Sequence, residues 1–308
     1  MSNAAGRVGI SLAAFLLPGA SITACGTGGS ATSSGATTVG SRTTAPAPMT
    51  RRIGLCSFSG PAPYPTRLSD GTPDVPTQLG VPLARTSTSP MVAAAYRQFN
   101  TMGCTHYQHH NVEVPTRGTY YYDCVGFTSY TLRVADRIAW DSLVGAVHLP
   151  VGKVPSPKHY VSFFTGLAST PRPGWSAVVT ATGIRPGDLL AWAPEAADAE
   201  SAGHSVLALS APVPLGGGRF ALTVMDSTAT PHGPDDTRRP SNPLSARNAP
   251  LGPSALAHRA HRGAPSGLGI GTIALDTGPG GGVTGVEWTI GTKVETVGFA
   301  SARPLPGS

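Results

Sequence analysis

The chain has 308 residues, a formal net charge of +6 and only 12% charged side chains, with 39 glycines and 30 prolines. Two domains would fit this length, but so much glycine and proline predicts one folded domain with long loops and linkers. The basic residues are scattered and not interleaved with aromatics. No zinc-finger, helix-turn-helix or RNA-binding signature occurs, so nucleic acid is not expected as a partner.

Residues 1–25 have the pattern of a signal peptide for export. Arg7 precedes a short apolar run over Val8–Ala24, which is too short for a membrane-spanning helix. The run leads into Ile22-Thr-Ala-Cys25, which resembles the lipobox of bacterial lipoproteins, whose cysteine is acylated after cleavage. Acyl chains on Cys25 would anchor an exported protein to the outer face of the cell membrane. Ordinary secretion, with Cys25 lost or incidental, is the alternative.

Residues 26–90 are predicted to form a flexible tether, because they are rich in Ser, Thr, Pro and Gly and offer little apolar surface to bury. The folded domain is predicted over residues 91–300, which is ample for one hydrophobic core. Residues 231–266 are rich in Arg, Pro and Ala and are predicted to be a long surface loop inserted into this domain. Residues 301–308 are predicted to be a short tail after the domain.

The domain begins with helices and continues with strands. Ser89 and Pro90 are predicted to cap and open the first helix. Helices are predicted at Met91–Asn100, from Asp123 onwards and at Pro157–Leu167, and strands at Trp175–Ala181, Gly187–Trp192, His204–Ser210, Phe220–Ser227, Ile270–Asp276 and Val283–Ile290. This order predicts an α+β fold, with helices packed on an antiparallel β-sheet.

Cys124 is the first candidate for chemistry. A free thiol is mostly protonated at neutral pH, so a cysteine enzyme must favour the thiolate. Asp123 is a good N-cap residue, which places Cys124 at the first helical position, where unpaired N–H groups and the helix dipole favour a negative charge. The same N–H groups can stabilise an oxyanion. The alternative is that Cys124 is a small core residue.

His204 and Asp226 are the candidates for a general base and the group that orients it. His204 begins a strand that is apolar on both faces, so its imidazole can face a cleft. Asp226 ends the apolar face of the next strand, which is expected to pair with that of His204. His232, just beyond that strand, is the reserve candidate. A core or surface histidine and a turn-forming aspartate are the alternatives.

The two remaining cysteines are candidates for a disulfide. Cys56 and Cys104 remain once Cys25 and Cys124 have roles, and in an oxidising exterior the two could form a disulfide. A Cys104–Cys124 bridge is the rival pairing and would remove the nucleophile.

Cys104, His106, His109 and His110 cluster in the sequence, but a metal site formed by them is not expected. No second Cys/His pair stands at zinc-finger spacing and no His-Glu-x-x-His occurs, so a polar loop bordering the cleft explains these residues better than a metal site. Neither a metal nor a cofactor is therefore expected.

Three short motifs resemble those of the NlpC/P60-type papain-like cysteine peptidases, in the same order. Asp123-Cys-Val-Gly-Phe127 is similar to the family's Asp-Cys-Ser-Gly-Phe. Gly187-Asp-Leu189 is similar to its Gly-Asp-Leu strand, and Gly203-His-Ser-Val-Leu-Ala208 to its Gly-His-Val-Gly-Ile strand. The family's third polar residue ends the following strand, where Asp226 stands here. Tyr107 stands where the family has a site tyrosine upstream of its cysteine.

This resemblance implies a papain-like fold and an exported cysteine hydrolase that cleaves an amide or peptide bond in cell-wall peptidoglycan. The chemistry would use a Cys124 thiolate, a His204 base and Asp226 as the orienting residue. Residues that would border the cleft are Tyr107, Asp123 and His232. Two other interpretations stay open: a non-catalytic envelope-binding lipoprotein on the same fold, and an acyltransferase or amidase that acts on a substrate outside the wall.

Overall fold

The computed structural model describes residues 69–75, 77–150, 152–194, 203–239, 241–242 and 266–307. The predicted signal peptide, the acylation of Cys25, most of the tether and Cys56 lie outside these residues and stay predictions. None of the described helices is long and apolar enough to cross a membrane.

The described α-helices are α1 Pro90–Thr101, α2 Cys124–Ala135, α3 Arg137–Val147 and α4 Pro157–Gly166. The predicted start of α1 is confirmed, because Ser89 accepts a hydrogen bond from the N–H of Met91 and Pro90 takes the first helical position. The sequence interpretation missed α3. Asp136 separates it from α2 and caps it by accepting from the N–H of Ala139.

The described strands form two sheets. The small sheet has the order β1-β3-β2 and consists of β1 Cys104–His106, β2 Val112–Val114 and β3 Thr119–Tyr121. The main sheet is antiparallel throughout and consists of β4 Trp175–Val178, β5 Leu189–Pro194, β6 His204–Ala208, β7 Val213–Gly216, β8 Arg219–Thr228, β9 Gly267–Thr277, β10 Val283–Glu287 and β11 Val294–Pro304.

Six strands of the main sheet close into a β-barrel in the order β5-β6-β8-β9-β10-β11. Closure depends on β11, whose residues 297–302 pair with β5 while its residues 294–296 pair with β10. The two remaining strands are attached to the barrel, β4 beside β11 and β7 beside β8. Closing the sheet pairs the backbone groups that an open edge would leave exposed.

The predicted fold class is therefore wrong. The sheet is a closed antiparallel barrel, and not an open sheet with helices packed on it as in the papain-like fold. The sequence interpretation ended the domain at residue 300 and treated residues 301–308 as a tail, whereas β11 continues to Pro304. It also predicted no strand over Val294–Pro304, and so it missed the strand that pairs on both sides and closes the sheet.

Two hydrophobic layers follow from the alternation of side chains along the strands. The first layer fills the barrel and contains almost only strand residues, among them Leu190, Trp192, Val206, Leu222, Val224 and Ile273. The second layer lies between the barrel's outer face and the four helices, and it includes Leu189, Leu207, Met225, Phe127, Leu143 and Phe164. The helices thus cover the outside of the barrel, with α2 near β6 and β8 and α4 near β5 and β11.

The small sheet leads the chain into α2. Its strand β3 ends at Tyr121, and only two residues separate it from Cys124 at the start of the helix. Thr105 of β1 ties this sheet to the barrel, because its hydroxyl accepts from the N–H of Leu268 at the beginning of β9, at 2.8 Å. The small sheet therefore holds the first residues of α2 close to the barrel.

Candidate catalytic site at one end of the barrel

Cys124 is the first residue of α2, as the sequence predicts. Asp123 caps this helix, since its Oδ1 accepts from the N–H of Gly126 at 2.8 Å. The N–H groups of Cys124 and Val125 stand at the helix start, where no intrahelical acceptor exists. Together with the helix dipole they create a positive potential around the sulfur.

Two hydrogen bonds fix α2 against the barrel strands that carry the other site residues. The hydroxyl of Thr128, one turn into α2, lies 3.0 Å from the hydroxyl of Ser205 on β6. The hydroxyl of Ser227 on β8 donates to the carbonyl of Tyr122, just before the helix, at 2.7 Å. All four residues are buried, so these bonds are shielded from water and fix the position of Cys124.

His204 begins β6, and Asp226 lies near the end of β8, the strand paired with β6. Each side chain points into the barrel, because His204 alternates with Val206 and Asp226 with Val224. Nε2 of His204 lies 2.5 Å from Oδ2 of Asp226, and both side chains are buried. The predicted contact between them is confirmed, while their catalytic roles stay predictions.

Cys124 meets His204 from the helix side. Burial lowers the pKa of His204, but the charge of Cys124, the hydrogen bonds with Asp226 and Cys124 and the charge of Asp226 outweigh it and raise this pKa to about 10. Since Asp226 engages Nε2, Nδ1 is the ring nitrogen that remains for the thiol. A histidine so placed can hold the thiol proton while the carboxylate fixes its tautomer.

A second histidine shares the same carboxylate oxygen. Nε2 of His232 lies 3.0 Å from Oδ2 of Asp226, and its Nδ1 lies 3.3 Å from the carbonyl oxygen of Trp288. The ring of His232 is fully buried. The reserve candidate is thus a second partner of Asp226, and not a replacement for it.

Two tryptophans flank His204. The ring centroids of Trp192 and Trp288 lie 5.2 Å and 4.9 Å from that of His204, and Trp288 also lies 4.1 Å from His232. Both indole rings are bulky and apolar, so they help to exclude water from the imidazole of His204. Sequence reasoning left Trp288 outside the site, because no local pattern connects the residue after β10 with the start of β6.

The segment after β8 is buried at the barrel end. Residues 231–239 have no regular secondary structure, as predicted for a loop, but His232, Asp236 and Arg238 are fully buried. The prediction of a surface loop is therefore wrong for this part of residues 231–266. Residues 243–265 lie outside the described residues.

Arg238 joins two buried carboxylates. Its Nη1 donates to Oδ1 of Asp226 at 2.9 Å, while its Nε and Nη2 donate to the two oxygens of Asp236 at 2.9 Å and 2.7 Å. Burial raises the pKa of Asp226, but the charges of Arg238 and His232 and the hydrogen bonds from both histidines hold it well below its usual range. Asp226 is therefore a carboxylate at neutral pH.

Glycines on β9 make room for this loop. Gly269 and Gly271 share the inner face of the strand with Ile273. A Cβ on Gly269 would lie 2.6 Å from Nε of Arg238, and one on Gly271 would lie 2.7 Å from an oxygen of Asp236. The sequence Gly-Leu-Gly-Ile-Gly over 267–271 is the signal that could have revealed the buried loop, because a strand face without side chains needs another group to fill it.

The predicted cleft residues lie beside Cys124. The second oxygen of Asp123 pairs with Nδ1 of the exposed His109 at 3.0 Å, and the ring of Tyr107 meets that of His109 edge-on. Burial, followed by the charges of Cys124, Asp123 and Asp226, raises the pKa of Tyr107. Tyr107 is therefore close to the nucleophile, and its role in the site stays a prediction.

The structure gives the oxidation state of two cysteines. Cys104 is disulfide-bonded and Cys124 is a free, buried thiol, which excludes a bridge between the two. The partner of Cys104 lies outside the described residues, so pairing with Cys56 stays a prediction. The prediction that the histidines near Cys104 lie in a loop is wrong for His106, which ends β1 and whose Nδ1 lies 3.1 Å from the hydroxyl of Ser266. His109 has the separate partner given above.

His204, Asp226 and His232 also offer three ligand atoms within 4.8 Å of one another, as a metal site would require. However, both rings are hydrogen-bonded to one oxygen of Asp226, and the other oxygen binds Arg238. A fixed guanidinium at that distance repels a divalent cation. The donor set therefore fits a hydrogen-bonded network better than a metal centre.

No family model, curated protein or solved structure matches this chain. The motif similarity to NlpC/P60-type peptidases therefore stays a resemblance, and the function is argued from the geometry of the site.

Proposed function

We propose that this chain is a cysteine hydrolase that cleaves amide bonds through Cys124. The observation that carries the proposal is the row Cys124–His204–Asp226: a thiol at a helix start, an imidazole beside it and a buried carboxylate on the far ring nitrogen. Its three members come from α2, β6 and β8, so only the tertiary structure brings them together. Such rows activate a nucleophile in acyl transfer.

In the proposed first step, the Cys124 thiol has already given its proton to Nδ1 of His204, and the sulfur attacks the amide carbonyl carbon. The negative charge that develops on the carbonyl oxygen is stabilised by N–H groups at the start of α2. His204 then gives the proton to the leaving nitrogen, so that the C–N bond breaks and a thioester remains on Cys124. Asp226 keeps the imidazolium in place throughout.

In the second step, water attacks the thioester. His204 accepts a proton from this water, the C–S bond breaks, and the acid product leaves with the thiol restored. The high pKa of His204 supports this cycle, because the imidazolium is stabilised by the charge of Cys124 before the attack and by the hydrogen bond with Asp226 and its charge in each step.

The substrate proposed first is a peptide bond in cell-wall peptidoglycan. This choice depends on the motif resemblance and on the export and acylation pattern of residues 1–25, which would place the domain outside the cell membrane. No described residue identifies the wall peptide itself, so other amide substrates belong in the same screen.

The test is turnover of purified peptidoglycan peptides by the full chain, with the products analysed by mass spectrometry. Cys124→Ala should abolish cleavage while circular dichroism and thermal unfolding stay close to those of the parent. Unchanged cleavage by this variant would contradict the proposal. Addition of a primary amine separates hydrolysis from acyl transfer, because a transferase converts the amine into an amide product.

Alkylation of Cys124 by iodoacetamide tests the site without a known substrate. In the proposed hydrolase, His204→Ala should slow this alkylation about tenfold or more at neutral pH. A Cys124 that reacts at the same rate in both proteins would be a structural cysteine and would favour the non-catalytic binding protein.

A further inference from the structure

The ionisable residues behind Asp226 take no part in the steps above, yet the end of the barrel is built around them. His232, Asp236 and Arg238 are each 0% exposed. Burying charges costs free energy that their mutual attraction often fails to recover, and apolar side chains of similar volume are commonly as stable. Stability alone therefore does not explain why a barrel interior holds this cluster.

The cluster fixes the carboxylate of Asp226 through both of its oxygens. Arg238 occupies Oδ1, and His232 shares Oδ2 with His204. Neither oxygen can turn away from its partners without breaking a buried hydrogen bond.

Asp236 holds both of these partners in turn. It binds the guanidinium of Arg238 through two oxygens and accepts from the backbone N–H of His232 at 2.7 Å. Arg238 also donates to the carbonyl of Gly267 on β9, at 2.9 Å. The arrangement is thus rigidly connected to the barrel wall.

We propose that His232, Arg238 and Asp236 are positioning residues that keep Asp226 ionised with Oδ2 directed at His204, and that they thereby set the lowest pH at which Cys124 reacts. This inference depends on the proposed function, since it concerns the same site. The three residues act through Asp226 and not on the substrate.

The groups that face Asp226 define how the dependence on pH arises. They are His204 from β6, His232 and Arg238 from the loop after β8, and Tyr107 from the loop after β1. After burial, the charges of Arg238 and His232 have the largest effects on the pKa of Asp226, and both lower it. Removal of either one should therefore allow Asp226 to take up a proton at a higher pH, and His204 then loses its acceptor.

The experiment measures the rate of Cys124 alkylation by iodoacetamide in the full chain, from about pH 4 to about pH 9, by residue-resolved mass spectrometry. The variants are His232→Gln, which keeps a donor but removes the imidazole, and the pair Arg238→Lys and Arg238→Met. We expect His232→Gln and Arg238→Met to raise the low-pH midpoint of alkylation by about one unit. Arg238→Lys keeps the charge and should stay nearer the parent.

Matched controls separate positioning from a general loss of stability. His159→Gln changes a histidine of α4, and Arg303→Met removes an arginine that binds the buried Asp188 elsewhere on the barrel. Both substitutions remove hydrogen bonds and should lower the unfolding temperature, but neither should move the low-pH midpoint of alkylation. Should Arg238→Met fail to fold, His232→Gln decides alone.

Two results have different meanings. A midpoint in His232→Gln equal to that of the parent would overturn the positioning role and leave the proposed function intact. A parent that is alkylated no faster than His204→Ala would instead remove the proposed function, and with it the role assigned to the cluster.

Discussion

The imidazole of His204 and the carboxylate of Asp226 meet diagonally across two neighbouring strands of the barrel, with Nε2 and Oδ2 2.5 Å apart. The register pairs Leu207 with Met225 and Ala208 with Val224. Extended by one residue, this register puts Val206 opposite Asp226, and His204 lies two positions from Val206 on the same inner face. Strand pairing therefore sets this contact, and a slip of one residue would turn one of the two side chains out of the barrel.

The first prediction concerns the charge of His204. Its pKa in the folded protein is about 10, above its ordinary value of 6.5, so His204 should remain an imidazolium through neutral pH. The stability that this charge contributes is fully present below about pH 6.5 and is lost as the pH rises through about 10. Histidine side-chain NMR, with the signal assigned by its loss in His204→Gln, measures the titration.

Cys124→Ala serves as the internal comparison for this titration. It removes the charge and the hydrogen bond of the sulfur, both of which raise the pKa of His204, so that the pKa should fall in this variant. A signal that titrates near 6.5 in the parent would contradict the hydrogen-bonded row.

The second prediction concerns Asp226→Asn. An amide in this position leaves the buried Arg238 with only one carboxylate partner, and breaking a buried pair costs about 3–5 kcal/mol. The variant should unfold at lower urea concentration, and the folded fraction should show slow alkylation of Cys124. Asp188→Asn is the matched control, because it disrupts another buried carboxylate–arginine pair without touching the site. It should lower stability and leave the alkylation rate of the folded protein unchanged.

The third prediction concerns the glycine face of β9. Gly269→Ala places a Cβ 2.6 Å from Nε of Arg238, so the guanidinium must shift and at least one of its buried hydrogen bonds must weaken. We expect a loss of about 1–3 kcal/mol in the free energy of unfolding. Gly145→Ala is the control: nothing lies within 4 Å of its added Cβ, and as an exposed position inside α3 it should gain about 0.5–1 kcal/mol. Equal effects of the two substitutions would count against the tight packing of Arg238.

The fourth prediction concerns the attachment of α2. Ser227→Ala removes the hydrogen bond to the carbonyl of Tyr122 and should cost about 1 kcal/mol. Because that bond positions the residue two places before Cys124, alkylation of the thiol should also slow several-fold. Ser301→Ala removes an equivalent bond to the carbonyl of Val178, elsewhere on the barrel. It should cost a similar free energy and leave alkylation at the parent rate, and a parallel slowing in both variants would mean that the effect is general.

Local sequence patterns determined the parts of the site that depend on near neighbours. Asp123 before Cys124 predicted a capped helix with the thiol at its first position, and the structure confirms this. The alternation of apolar residues before Asp226 predicted its strand and the face it occupies, which is also confirmed. Caps and alternation can be predicted because their energies are decided within a few residues.

Only the tertiary structure decided the closure of the sheet and the surroundings of the site. The strand that closes the barrel, β11, pairs with β5 about a hundred residues earlier in the chain, and no local pattern encodes such a pairing. Trp288 and the cluster around Arg238 reach His204 and Asp226 for the same reason, from the residue after β10 and from a loop that its composition predicts at the surface. Their positions follow from strand register and from the space that the glycines of β9 leave, and both are properties of the folded barrel and not of any short segment.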